Sequence, residues 1–110
     1  MNRKTYNKLI RDKIPEIIKK NEAIPKISVL NDDQFKSALK EKLIEEAKEL
    51  LEAKTNEEIL NELSDAFQLL ESIALNNNTT LAEVEKQKEK KKAERGGFDK
   101  KLFLEYVDEQ

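Results

Sequence analysis

With 110 residues and 12.8 kDa, the chain suffices for one packed domain and is too short for two that each bury a core. It has neither Cys nor His, which excludes a thiolate or imidazole nucleophile, a Ser-His-Asp triad and a Cys/His zinc site. Any metal is therefore held by oxygen, which favours Mg2+, Mn2+ or Ca2+, and a charged content of 40% with only two Gly and two Pro predicts solvated helices rather than sheets.

The formal net charge of -2 conceals a segregation. Residues 1–20 hold seven Lys/Arg against two acids, residues 31–75 hold five against twelve, and residues 86–95 hold six against two. A fold that brings basic ends onto an acidic centre would set cation-binding carboxylates beside phosphate-binding Lys and Arg. No apolar run reaches membrane-spanning length, and the start MNRKTYNKLIRDK lacks the apolar stretch of a signal peptide. The expectation is a soluble cytoplasmic protein with no membrane partner.

In chain order, Tyr6 to Arg11 form a leading arm. A first helix is predicted from Asp12 as N-cap to about Lys20, with Pro15 in the first turn, where its missing N–H costs little. Residues 27–30 follow Pro25, alternate, and are rich in β-branched side chains, which predicts a short strand or extended segment. Asn31-Asp32-Asp33-Gln34 is a start signal for a long helix to about Ala53. Thr55 with Glu58 is a capping-box pattern that opens a helix to about Leu75, stopped by Asn76-Asn77-Asn78. Thr80 with Glu83 repeats the device for a charged helix that ends at Gly96-Gly97. The apolar run at 102–107 reads as a strand pairing with 27–30 or as a last helical turn; the strand is favoured.

The helical periodicity locates the acids. At 100° per residue with Leu39 at zero, the apolar residues from Phe35 to Ala53 fill an arc from about 320° through zero to about 140°. Glu46 falls at about 340°, inside that arc, with Glu49 and Glu45 off one edge at about 280° and 240°. On the next helix, with Ile59 at zero, the apolar arc spans about 280° to 100°; Glu62 lies within it at about 300°, and Asp65 borders it at about 240°. An acid among Leu and Phe must be protonated, paired or metal-bound. Five carboxylates in one pocket repel one another unless divalent cations neutralise them. The competing account is that Glu46 and Glu62 are paired with Lys or Arg, or that helix rotation leaves them at a wet boundary.

The spacing Glu45-Glu46-x-x-Glu49, twelve intervening residues, then Glu62-x-x-Asp65 resembles the EExxE…ExxD signature of the all-α nucleoside triphosphate pyrophosphohydrolases, the MazG-like superfamily. The arm YNKLIRDKIPEII and the later KKAERGGF resemble its small phosphoribosyl-ATP pyrophosphohydrolase-like branch. The resemblance implies a mainly α, MazG-like bundle of about four helices, a homodimer or homotetramer, and cleavage of a nucleotide between the α and β phosphates to release pyrophosphate. It implies that Glu45, Glu46, Glu49, Glu62 and Asp65 hold Mg2+, with Mn2+ as an alternative.

The residues support the same chemistry. Ions bridging phosphate oxygens neutralise charge and lower the pKa of an attacking water, and Glu45 and Glu46 are both candidates to orient or deprotonate that water. Phosphate charge beyond the metal calls for Lys8, Arg11 and Lys13 on the arm and Lys91, Lys92 and Arg95 on the basic helix, with Asn7 as a hydrogen-bonding residue for base, ribose or phosphate. Gly96-Gly97 suits a loop around phosphate and equally a plain C-cap. Tyr6, Phe35, Phe98 and Tyr106 are the rings available to stack on a base. Two other readings compete. One is a non-catalytic helical dimerisation module; the other is a nucleic-acid binder using residues 86–95, which net acidity and few aromatics oppose.

Overall fold

The computed structural model describes residues 2–110 and contains four helices: α1 (Ile14–Lys20), α2 (Asp32–Glu52), α3 (Asn56–Leu75) and α4 (Leu81–Arg95). There is no strand among the described residues.

The long helices start where local chemistry dictates. Asn31 accepts a hydrogen bond from the Gln34 backbone N–H at 2.9 Å while the Gln34 side chain accepts from the Asn31 N–H at 3.1 Å, a complete capping box. Thr55 Oγ1 accepts from the Glu58 N–H at 3.1 Å. Glu58 itself reaches one residue further back than in a capping box and accepts from the Lys54 N–H at 3.2 Å. Thr80 repeats the Thr55 cap on the Glu83 N–H. At the end of α3, the side-chain amides of Asn76 and Asn77 donate to the Ser72 and Ile73 carbonyls; Ser72 keeps its helical bond from the Asn76 N–H, whereas the Asn77 N–H has moved to Ala74 and its side chain serves Ile73 instead. Gly96 ends α4 at φ 87°, a conformation that only glycine adopts without strain.

Two expectations are corrected. The side chain of Asp12 does not cap α1; Lys13 occupies that position with no side-chain bond. Residues 12 and 13 form a turn closed by the Ile14 N–H on the Arg11 carbonyl, so backbone satisfies the donor that Asp12 would have capped. The sheet expected from 27–30 and 102–107 is also absent. Both segments run without regular structure, and Val29, Leu102 and Phe103 are almost fully exposed. Neither finds the facing apolar surface that a two-stranded ribbon needs for stability.

A three-residue link, 53–55, folds α3 back on α2 to make a helical hairpin, which is the main packing unit; α4 packs more lightly on α3, and α1 packs on no other helix. Few apolar side chains are buried: Leu39, Leu69 and Ala74, with Glu46 among them. The molecule measures 65 × 35 × 29 Å with a radius of gyration of 18.8 Å, against about 13 Å for a compact domain of this length.

Candidate metal centre on the helical hairpin

The hairpin assembles the carboxylates. Glu46 and Glu49 lie one turn apart on α2, and Glu62 and Asp65 one turn apart on α3, so each pair leaves its helix on one side. Packing of α2 on α3 then brings one carboxylate oxygen from each of Glu46, Glu49 and Glu62 within 4.8 Å of one another. Glu46 is only 6% exposed, Glu62 is half-buried, and Glu49 opens to solvent. The cluster therefore has a closed floor and an open side through which a cation can enter.

Glu46 Oε2 and Glu62 Oε2 are buried without a hydrogen-bond partner. Neither acid is paired with Lys or Arg among the described residues, so the competing account of simple ion pairing does not apply to them. Leaving two buried carboxylate oxygens unsatisfied costs several kcal/mol unless a proton or a cation is supplied. Burial, reinforced by the facing carboxyls of Glu62 and Glu49 and by the charge of Asp65, pushes the Glu46 carboxyl up to about 7. Glu49 is also raised, first by its contact with Glu62 and then by burial, with Glu46 opposing. A carboxyl such as that of Glu46, which holds its proton near neutrality, is poised to exchange it for a divalent ion.

Glu45 and Asp65, the outer members of the expected ligand set, stand outside this group of three. Lys8 Nζ approaches Glu45 Oε1 at 3.2 Å, and Arg11 donates to Asp65 Oδ1 at 2.7 Å. The basic arm thus lies across the acidic hairpin, which the charge segregation anticipates. What the sequence does not carry is that these two cations meet the edge acids rather than empty space reserved for phosphate; no local pattern encodes a pairing across 37 or 54 residues.

The remaining basic candidates are not gathered here. Lys13, Lys91, Lys92 and Arg95 are exposed and form no ion pair with the five acids among the described residues. Asn7 is exposed and holds φ at 46°, which bends the arm just before Lys8. The Tyr6 ring is flanked by Lys4 and Lys8 ammonium groups at 5.2 and 5.9 Å from its centre. Phe35 is half-buried on α2, whereas Phe98 and Tyr106 are exposed. Asn61 and Ser64, which the sequence reading passed over, line an open depression on α3 together with Glu62. On a helical wheel they stand about 100° and 160° from Glu62, so periodicity gives no reason to group them with it.

No family model matches the chain, and no solved structure matches it. It is similar to an uncharacterized protein of Mycolicibacterium smegmatis (strain ATCC 700084 / mc(2)155), at 44% identity over 52 residues that make up 47% of this chain and 53% of the relative. The chain spans about half the length of this curated relative. No helix of the described residues is long and apolar enough to cross a membrane.

Proposed function

We propose that the protein is a Mg2+-dependent nucleotide pyrophosphohydrolase that cleaves its substrate between the α and β phosphates. The observation that carries the reading is the convergence of Glu46, Glu49 and Glu62, with two buried carboxylate oxygens left unpartnered. An all-oxygen donor set of this kind fits a hard divalent cation, Mg2+ or Mn2+. Glu46, Glu49 and Glu62 would hold the ion, with Glu45 and Asp65 beside them. When bound, such an ion supplies Lewis-acid polarisation of phosphate and lowers the pKa of water.

The chain's own residues supply the rest. Glu62 and Glu46 fix the floor of the site, because both side chains are held by the packed hairpin rather than by a loop. Glu49, exposed at the rim, stands where substrate enters. Glu45 is the acid next to the cluster, and Lys8 Nζ holds its side chain in place from 3.2 Å. It is suited to accept a proton from an attacking water. Lys8 and Arg11 bring positive charge to the rim, where a polyphosphate needs it.

The substrate class that fits is a nucleoside triphosphate, including non-standard nucleotides, or a phosphoribosyl-ATP-like compound. The test is to incubate the protein with a panel of triphosphates, dUTP and oxidised purines among them, and with phosphoribosyl-ATP, with and without Mg2+. Release of pyrophosphate together with the monophosphate, abolished by chelation, supports the reading. No release across the panel from a folded protein, with no heat of Mg2+ or Mn2+ binding by calorimetry, refutes it and favours a non-catalytic helical module.

A further inference from the structure

The chain's aromatic side chains are four Phe and two Tyr, with no Trp, and the fold sets them very differently against the carboxylate cluster. Half-buried Phe35 lies about three turns of α2, roughly 16 Å, from Glu46. Phe67 leaves α3 about 140° around the helix from Glu62. Phe98, Phe103 and Tyr106 follow the Gly96-Gly97 break, and no hydrogen bond or ion pair joins residues 98–110 to the hairpin among the described residues. Tyr6 differs from all of these. Lys8 Nζ sits 5.9 Å from the centre of its ring and 3.2 Å from Glu45 Oε1, so one ammonium joins the ring to the acidic edge of the site. Lys4 Nζ lies over the same ring at 5.2 Å. The residue stays 61% exposed, so a flat ligand can still reach the ring.

We propose that Tyr6 is the stacking platform for the base of the nucleotide, and that it favours purine over pyrimidine substrates. The inference rests on the pyrophosphohydrolase reading and names the residue that holds the end of the substrate farthest from the chemistry. A nucleotide carries a flat π system and a polyanion on one molecule. The arm offers the matching pair, an aromatic ring and an ammonium two residues on, whose side chains meet across the bend at Asn7, where φ is 46°. Asn is among the few residues that hold this left-handed conformation at little cost. Packing does not account for the ring, because Tyr6 lies outside the helices and its hydroxyl makes no hydrogen bond among the described residues. Stacking on an aromatic side chain accepts every base, since each has a π face, and it strengthens with the area of overlap. The larger purine ring system therefore gains more from Tyr6 than a pyrimidine does.

The test is calorimetry on the full-length chain with Mg2+ and three probes: the α,β-methylene analogues of ATP and UTP, which resist cleavage, and inorganic triphosphate, which has no base. Wild type should bind the ATP analogue more tightly than the UTP analogue. Tyr6→Ala should weaken the ATP analogue about tenfold and leave inorganic triphosphate unchanged, and Tyr6→Phe should restore the wild-type affinity. Tyr6→Trp introduces the chain's one tryptophan; its fluorescence should be quenched by the ATP analogue and not by inorganic triphosphate. An ATP analogue bound equally well by Tyr6→Ala, an equal loss for inorganic triphosphate, an unquenched tryptophan, or a UTP analogue bound as tightly as the ATP analogue would each overturn the proposal while leaving the pyrophosphohydrolase reading in place. Failure of wild type to bind any of the three probes would overturn both.

Discussion

Arg11 and Asp65 lie 54 residues apart in the chain and meet at 2.7 Å, tying the N-terminal arm to the carboxylate-bearing edge of α3. Both side chains keep substantial solvent contact, so the pair adds little to stability, about 0–1 kcal/mol as for other exposed ion pairs. Its significance is positional, because it parks a guanidinium beside the carboxylate cluster. Arg11→Ala is expected to raise KM for the nucleotide about tenfold, the loss of roughly one charge-assisted bond. The same substitution should leave the denaturation midpoint within ~1 kcal/mol of wild type. Steady-state kinetics beside urea melts check both; a KM that does not move removes Arg11 from substrate binding.

Glu46 and Glu62 form the floor of the cluster. Glu46→Ala and Glu62→Ala are each expected to cut turnover by about a hundredfold to a thousandfold or more, since a metal ion contributes several kcal/mol of charge stabilisation. The far-ultraviolet circular dichroism should keep its helical form, because α2 and α3 are capped at Asn31 and Thr55, away from both residues. Turnover at the wild-type rate in either variant would sink the site assignment.

Without metal, the protein should become less stable as pH rises. The unfolded Glu46 carboxyl titrates near 4.5 and the folded one near 7, so between these values the folded state holds a proton that the unfolded state has lost. Stability present at low pH is therefore lost progressively from about 4.5 until pH passes about 7, by ~3 kcal/mol in all, of which ~2 kcal/mol falls above pH 5.5. Urea melts in chelator at pH 5.5 and 8 check the direction, and Glu46→Gln should flatten the difference. A Glu46→Gln profile identical to wild type would show that the slope arises elsewhere.

Mg2+ should reverse that penalty. A cation that took the place of the proton on Glu46 and bound the folded state alone would, at a hundred times its dissociation constant, stabilise by about 2.7 kcal/mol. Its affinity should rise from pH 6 to pH 8 as protons cease to compete. Calorimetry at the two pH values measures both the affinity and the protons released; equal affinities would mean that Glu46 is not a ligand.

Helix boundaries were legible wherever a side chain announces them. Asn31, Thr55 and Thr80 act as caps because a short oxygen-bearing side chain reaches a free N–H three residues on, a purely local event. Asp12 broke the pattern because a backbone turn had already used the donor. The run at 102–107 misled for the opposite reason. Its composition satisfies a strand, but a strand exists only through a partner, and the segment has none among the described residues.

The same division holds for the candidate site. Helical periodicity alone placed Glu46 and Glu62 inside apolar arcs and their neighbours at the edges, because 3.6 residues per turn is a property of the backbone and needs no knowledge of the fold. Only the tertiary structure decided which three of the five acids converge, that Lys8 and Arg11 lie against the other two, and that Lys91, Lys92 and Arg95 stand apart. Those outcomes depend on how one helix rotates against the next and where an arm of irregular backbone comes to rest. Many weak contacts summed over the whole chain set both, and no motif in one stretch of sequence does.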